Sequence, residues 1–499
     1  MTAFSPTESG ADAAPELGKE LKARQYFTLA FGNIIGVGWI IVLGKWLEQG
    51  GPLGTLLAFG AGVVVMLAIG LCYAELAAMI PVAGGEFAYV YEVFGTGVAF
   101  AIGWFLALAY VATTIFEAVS FGWIMGAFLP VVKGPVLYSF RGDSVQLGSL
   151  LMGLGGMAYL ARLNYRGLKS AAVFQDIFTY GLLAVTLVFV SAGIFWGRAS
   201  NLMPVFAKTG IGPALGGILA VFLTTPFFLA GFNVIPQTME EKAEGISNRK
   251  VVQMIIFSIS MAGLFYGLTA LAASMAAPWK DIVGLELPAA GAFEAALHSP
   301  LLAKVVLVAG ICGIVTTWNT VFISSSRVIF ALGRARIIPP HFGRIHRVFR
   351  SPFNAILFAA VLASVGVLLG RSAILPIVNV TGTCYAFAYF FTCLSVIKLR
   401  RNQPRAIRPY RIPGGPAVAA LGLLFSVAIF FLTIYEPYRN SRGAVPLEWI
   451  FILVWAALGL LFWVAARKIR VQISEEERRR LILGPGALGS DESGKEARV

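Results

Sequence analysis

A chain of 499 residues in which 58% are hydrophobic and only 13% charged has too little polar surface to cover a core of its own in water. Soluble chains average about 25% charged residues, whereas a bilayer accepts apolar surface on the outside of the fold. The composition excludes a soluble enzyme or binding domain, and the formal net charge of +14 is met by anionic lipid at a membrane surface and requires no nucleic acid.

Residues 1–24 are polar, Ala-rich and Pro-containing, with no apolar stretch ahead of a cleavage site, so they read as a disordered cytoplasmic tail rather than a secretory leader. A spanning helix needs about 20 mostly apolar residues. That ruler finds about twelve candidates, near residues 27–47, 54–80, 97–128, 147–161, 173–196, 213–236, 252–277, 301–332, 354–370, 373–397, 417–435 and 447–466. An even count puts both termini on one side. With the N-terminus inside, 29 of the 39 Lys and Arg residues fall on the cytoplasmic side, including the runs Arg334 to Arg350 and Lys398 to Arg411. Basic residues accumulate in loops that stay in the cytoplasm, so both termini are placed there, in the plasma membrane. Arg478, Arg479 and Arg480 in the tail, residues 471–499, read as a solvated or lipid-facing charge run.

Two candidate spans carry their own interruptions. In the first, Gly32, Gly36 and Gly38 weaken the helix at mid-depth, and Asn33 adds a side chain able to bond backbone groups. In the sixth, the stretch Thr224 to Pro236 combines Pro226, Gly231, Asn233 and Pro236, and each proline removes a donor from the ladder. Lipid offers no hydrogen bonds, so unwound backbone at that depth survives only against protein or a hydrated cavity. Broken spans opening two halves of a chain point to a substrate site between inverted repeats, here 25–210 and 211–400, followed by a basic loop and two further helices over 401–470.

The remaining chemistry is sparse. Cys72, Cys312, Cys384 and Cys393 lie in apolar runs without metal-ligand or disulfide spacing and read as small hydrophobes. His298, His341 and His346 fall in expected loops, so neither a metal centre nor a cofactor is expected. Glu117, deep in the third span, is a functional candidate because burying an ionisable group in a bilayer is costly. Glu75 and Glu86 are expected to pair with basic loop residues, and Glu240 and Glu241 to act in gating or structure on the cytoplasmic side.

Several of these stretches, in order, resemble a known family. Ile35-Gly36-Val37-Gly38-Trp39-Ile40 is similar to the first-helix signature of the amino acid-polyamine-organocation (APC) permeases, and Leu229-Ala230-Gly231-Phe232-Asn233 to their sixth-helix signature. Cys72 to Ala77 with Pro81 to Glu86, Ser326 to Ala331, and Arg408 to Gly414 resemble three more of their motifs. The resemblance implies an all-α membrane fold of about twelve helices, a five-plus-five inverted repeat (LeuT-like) with two extra C-terminal helices. It also implies alternating-access transport of amino acids or related amines, driven by an ion gradient or run as exchange.

In that reading the substrate is held at Asn33, Ile34, Ile35, Gly36, Val37 and Gly38 of the first break and at Phe227, Phe228, Ala230, Gly231, Phe232 and Asn233 of the second. Amides heading the half-helix after the first break would take a carboxylate, and carbonyls around Asn33 to Ile35 and Phe227 to Ala230 an ammonium. Phe227 or Phe228 would gate the pocket, with Phe232 and Trp39 as further aromatic candidates. Val37 stands where the family commonly has a small hydroxyl residue, and Leu182 where many proton-coupled members have a lysine. Coupling is then left to a proton on Glu117 or a sodium ion at Thr316 and Thr317. The competing readings are a membrane sensor or partner-binding subunit that keeps the fold without transporting, a channel, and a membrane enzyme.

Overall fold

The computed structural model describes residues 17–285, 287–297, 300–441 and 444–484. The tail before residue 17, the tail after residue 484 and His298 lie outside the described residues.

The chain folds as helices that are apolar nearly all round, the pattern expected where lipid replaces water on the outer face. The first span is interrupted: α1 (Ala23–Ile34) ends, Ile35 to Val37 are non-helical, and α2 (Gly38–Ile41) leads through Val42 into α3 (Leu43–Met79). Within α3 the chain turns at Gly51 (φ 70°), so residues 38–50 and 52–79 are two helices in sequence. No other residue type fits there, because a Cβ on Gly51 would stand 2.6 Å from the Ala207 amide nitrogen and against the neighbouring backbone. α4 (Glu86–Phe128) turns in the same way at Gly95. It is followed by a short hairpin, β1 (Val136–Phe140) paired antiparallel with β2 (Asp143–Gln146), a departure from the purely helical expectation that is confined to a connecting loop.

α5 (Leu147–Tyr165) and α6 (Leu168–Trp196) come next. The sixth expected span is then broken into α7 (Ile211–Phe222), α8 (Thr225–Phe228) and α9 (Val234–Gln237). Beyond it run α10 (Asn248–Ala276), the short α11 (Trp279–Ile282) and α12 (Pro288–Leu297), and then α13 (Pro300–Arg334), α14 (Phe353–Val367) and α15 (Ile374–Asn402). The chain closes with α16 (Pro416–Asn440), α17 (Leu447–Ala465), α18 (Arg467–Gln472) and α19 (Glu475–Leu483). Among the described residues nine helices are long and apolar enough to cross a membrane, and α14 is a shorter apolar helix. The protein is thus an all-α multi-pass membrane protein in its spanning part.

The most buried helices surround the two breaks. α13 packs along α4 and α6, α10 along α3 and α6, and α1 is enclosed by α6, α10 and α13. The spanning stretches of α16 and α17 are mostly exposed, as suits helices facing lipid at the periphery.

Two terminal stretches differ from expectation. From Leu17 onward the N-terminal segment is docked: Leu17 and Leu21 are buried, and the amides of Glu20 and Leu21 both donate to the Glu241 carbonyl at 3.0 Å. The C-terminal arginine run is not a free charge patch. Arg479, itself exposed, forks onto Glu92, whose side chain is largely buried (3.2 and 2.9 Å), Arg478 is buried and reaches the Thr96 hydroxyl, and the Arg480–Glu476 pair is exposed on both sides. Ile482 and Leu483 on the same helix are buried, and that apolar anchor holds the arginines beside α4.

Candidate substrate site

The two breaks meet. Gly231 lies in an extended-to-left-handed conformation (φ 125°) with its α-carbon against the first break, so that a Cβ there would stand 2.9 Å from both the Asn33 carbonyl carbon and the Ile34 amide nitrogen. The Asn33 side chain bridges the contact, its Nδ2 donating to the Gly231 carbonyl at 2.7 Å. Both residues are buried, and a buried carbonyl at an unwound turn needs such a partner. Asn33 therefore fastens one break to the other.

Unwinding leaves backbone groups free. Helical pairing stops with the Ile35 amide bonded to the Phe31 carbonyl and resumes with Ile40 bonded to Val37. Among the described residues no hydrogen bond reaches the amides of Gly36, Val37, Gly38 and Trp39 or the carbonyls of Ile35 and Gly36. In the second break the amides of Gly231, Phe232 and Asn233 and the carbonyls of Leu229 and Ala230 are likewise unpaired. The first set heads residues 38–50, and free amides at a helix start carry a partial positive charge suited to a carboxylate.

Other carbonyls that sequence reasoning left open are already engaged. The Thr317 hydroxyl donates to the Gly32 carbonyl (3.1 Å) with a longer contact to Asn33 (3.3 Å), and the Tyr266 hydroxyl donates to Ile34 (3.1 Å). Thr316 bonds back to Cys312 and Gly313 of its own helix. Sequence reasoning missed the cluster behind them. Gln175 Nε2 and the Thr179 hydroxyl crowd Gly32 and both donate to the Thr28 carbonyl at 3.2 Å. Asn319 then donates to Gln175, and the Thr28 hydroxyl to Asp176. Leu182 is buried on α6, but Gln175 and Thr179 stand against the first helix. The signal was a polar repeat at helical spacing on an otherwise apolar span, Gln175, Asp176 and Thr179.

Glu117 comes to the first break. Its Oε1 lies 3.5 Å from where a Gly36 Cβ would be, and the Thr317 hydroxyl oxygen lies 3.3 Å from that same point. The carboxyl is 2% exposed, makes no hydrogen bond among the described residues, and has an oxygen fully shielded from solvent. A buried carboxyl without a partner is costly in a membrane interior, so its retention here marks a group with work to do.

The aromatic candidates separate. The Phe228 ring lies directly on Gly38, within 2.3 Å of its would-be Cβ, and packs edge-on to Trp46 (4.9 Å) and Tyr266 (6.0 Å). Phe227 meets this group at Phe228, edge-on with ring centres 5.2 Å apart. Phe232 turns the other way, onto Tyr73 and Tyr389. Trp39 packs on Phe189 and Phe265, Val37 is buried, and Ala230 lines the second break.

The acidic residues of the loops behave differently from one another. Glu75 pairs with Arg400 (2.5 Å) and Arg408 (3.3 Å). Glu241 is held in a fully buried fork by Arg327 (2.8 and 3.0 Å) and Glu240 by Arg334 (2.6 and 2.8 Å). Burial pushes the Glu240 carboxyl up, but the Arg334 guanidinium and the Ala83 amide outweigh it and hold it below the ordinary glutamate value. Among the described residues Glu86 has no basic partner, contrary to expectation: it accepts instead from the amides of Asn233 (3.2 Å) and Gln237. The turn at Gly84 and Gly85 aims it inward at α9, away from the basic loops.

A family model described as amino acid permease matches residues 21–458, which takes in every element of the site. The chain belongs to the amino acid permease family, within the APC superfamily. The permease is similar to the branched-chain amino acid permease BcaP of Bacillus subtilis (strain 168), 26% identical over 465 residues covering 91% of this chain and 94% of that one. It is also similar to the methylthioribose transporter of the same organism, 26% identical over 472 residues covering 93% and 96%, and to the human Asc-type amino acid transporter 1, 27% identical over 451 residues covering 88% and 82%. The permease is thus a member of a transporter family and not an enzyme.

Proposed function

We propose that this permease is a secondary active transporter of neutral amino acids, working by alternating access in the plasma membrane with both termini cytoplasmic. The reading takes its twelve spans as a five-plus-five inverted repeat over 25–210 and 211–400, with α16 and α17 as the two additional helices. It rests above all on one observation: the two unwound turns are joined at Asn33 and Gly231, with unpaired amides at Gly36 to Trp39 beside an unpaired Glu117.

An amino acid zwitterion fits that set. Its carboxylate lies on the amides of Gly36 to Trp39, and its ammonium on the carbonyls of Ile35, Leu229 or Ala230. The aromatic group of Phe228, Trp46, Phe59 and Tyr266 faces an apolar side chain, in keeping with a relative named for branched-chain amino acids. Phe228, lying across Gly38, is the gate; Phe227 supports it.

Glu117 carries a coupling proton. Support comes from its unpaired state and from the hydroxyls of the alternative being engaged: Thr317 already donates to the Gly32 carbonyl and Thr316 to the Cys312 and Gly313 carbonyls of its own helix. A donor hydrogen on each of those oxygens opposes a cation in the same place.

The test is uptake into proteoliposomes of a panel of radiolabelled neutral, cationic and anionic amino acids, simple amines and methylthioribose, with proton and sodium gradients imposed separately. Saturable uptake of an apolar amino acid, raised by an inward proton gradient and indifferent to sodium, is expected. Absence of uptake and exchange across the panel overturns the reading, and sodium dependence overturns the assignment to Glu117.

A further inference from the structure

The polar residues beyond Phe232 form a second group that the substrate site does not use. Glu86 is fully buried, and among the described residues no Lys, Arg or His pairs with it. Its partners are two side-chain amides, Asn233 and Gln237, whose own oxygens are buried and unpaired. The titratable groups facing it are tyrosines on the elements packed around it: Tyr73 from α3, Tyr89 and Tyr110 from α4, Tyr385 and Tyr389 from α15. The hydroxyls of Tyr73, Tyr89, Tyr110 and Tyr389 are buried, and among the described residues none has a well-formed hydrogen bond: Tyr73 faces Glu86 and Thr392, Tyr110 faces Gln237 and Tyr389 faces Asn233 without closing one.

These groups share one place. The Phe232 ring is edge-on to Tyr73 at 5.3 Å and stacked on Tyr389 at 6.1 Å, Tyr389 is stacked on Tyr385 at 6.0 Å, and Tyr385 meets Tyr110 at 5.8 Å. Tyr110 precedes Glu117 by seven residues on α4, about 10 Å along a helix. The cluster is therefore adjacent to the substrate site yet separate from it, with Phe232 between.

So many orphaned oxygens around one carboxylate describe an incomplete coordination shell. Each unmatched buried polar group costs about 1–3 kcal/mol, and an ionised carboxylate in a low-dielectric interior costs more unless a positive charge accompanies it. Among the described residues no such charge pairs with Glu86. Carboxylate, amide and hydroxyl oxygens are the donors that hard monovalent cations and ammonium groups prefer.

We infer that Glu86, Asn233 and Gln237, with the hydroxyls of Tyr73, Tyr110 and Tyr389, form a second site that binds a monovalent cation, either an alkali ion or a primary ammonium. Occupation bridges α4, α9 and α15 across the second break. The inference stands apart from the transport reading, because binding is measured without flux.

The test uses the full-length permease in nanodiscs at constant ionic strength and pH. Thermal unfolding is followed in choline chloride, whose bulky quaternary nitrogen has no N–H to donate to these oxygens, with Na⁺ or K⁺ replacing choline in one arm and isoamylamine, a primary ammonium without a carboxylate, added in the other. A saturable rise of about 1–3 °C is expected in one arm for the parent protein, and the arm identifies the source of the charge. Glu86→Gln removes the rise. Tyr389→Phe, which deletes one hydroxyl and keeps the ring packing, weakens the apparent affinity by about fivefold and guards against a Glu86 variant that does not fold. No rise with any cation in the parent protein overturns the inference, since Glu86 is then simply protonated. A rise that survives in Glu86→Gln and disappears in Glu117→Gln also overturns it.

Discussion

Replacing Gly231 by alanine tests the joint between the two breaks most directly. The residue sits at φ 125°, where an L side chain is strained by about 1–3 kcal/mol. The added methyl also meets the Asn33 carbonyl carbon and the Ile34 amide at 2.9 Å, so the breaks must part by about half an ångström to restore ordinary contact. Both atoms belong to backbone held by Asn33, Tyr266 and Thr317, which leaves little room to yield. If the joined geometry is the binding-competent state, 1–3 kcal/mol lowers its population by about 5- to 150-fold. Initial uptake rates and substrate affinity in proteoliposomes should fall by at least about fivefold, with a lowered unfolding temperature. Gly216→Ala on α7 is the control, because nothing lies within 4 Å of its would-be Cβ and alanine is the better helix former. Full activity in Gly231→Ala, within twofold of the parent, would refute the claim that the contact between the breaks matters.

Glu117→Gln should abolish the stimulation of uptake by an inward proton gradient while substrate exchange between equally buffered compartments persists; unchanged gradient dependence would remove Glu117 from coupling. Thr317→Val, which keeps the shape and deletes the hydroxyl, leaves the Gly32 and Asn33 carbonyls short of a donor and should cost about 1–3 kcal/mol in unfolding measurements without creating a sodium requirement. The Glu240–Arg334 fork carries a pH signature. Its carboxyl is held below the ordinary value, so its stabilisation is complete above the unfolded-state value near about 4.3 and is lost as pH falls through the lower folded value. The stability gap between the parent and Glu240→Gln should thus be constant from pH 7 to about 5 and shrink on further acidification; a gap that widens would contradict the sign.

Much of the site was legible as interruptions of pattern. Gly32, Gly36 and Gly38 in one apolar run, and Pro226, Gly231 and Pro236 in another, cannot sustain continuous helices, and both runs are broken in the fold. Glu117 stood out for the same reason, as a charge where lipid forbids one. Less visible were residues whose meaning depends on a neighbour far along the chain. Leu182 was identified by counting along α6 from a motif, but helix rotation and packing bring Gln175 and Thr179 to Gly32 instead. The expected basic partner of Glu86 failed similarly, because nearness in sequence to the loops says nothing of the inward turn at Gly84 and Gly85.

The sequence alone determined that the chain is an apolar, helical membrane protein and where two of its helices must unwind, because those are properties of local composition and backbone chemistry. Only the tertiary structure decided which free amides and carbonyls remain available, that Asn33 ties the first break to Gly231, and that Glu86 stands among tyrosines. Such arrangements join residues far apart in the chain, 198 positions for Asn33 and Gly231 and 147 for Glu86 and Asn233. Hydrogen bonds and packed rings are satisfied in three dimensions, and one sequence fixes which groups exist before the fold fixes which of them meet.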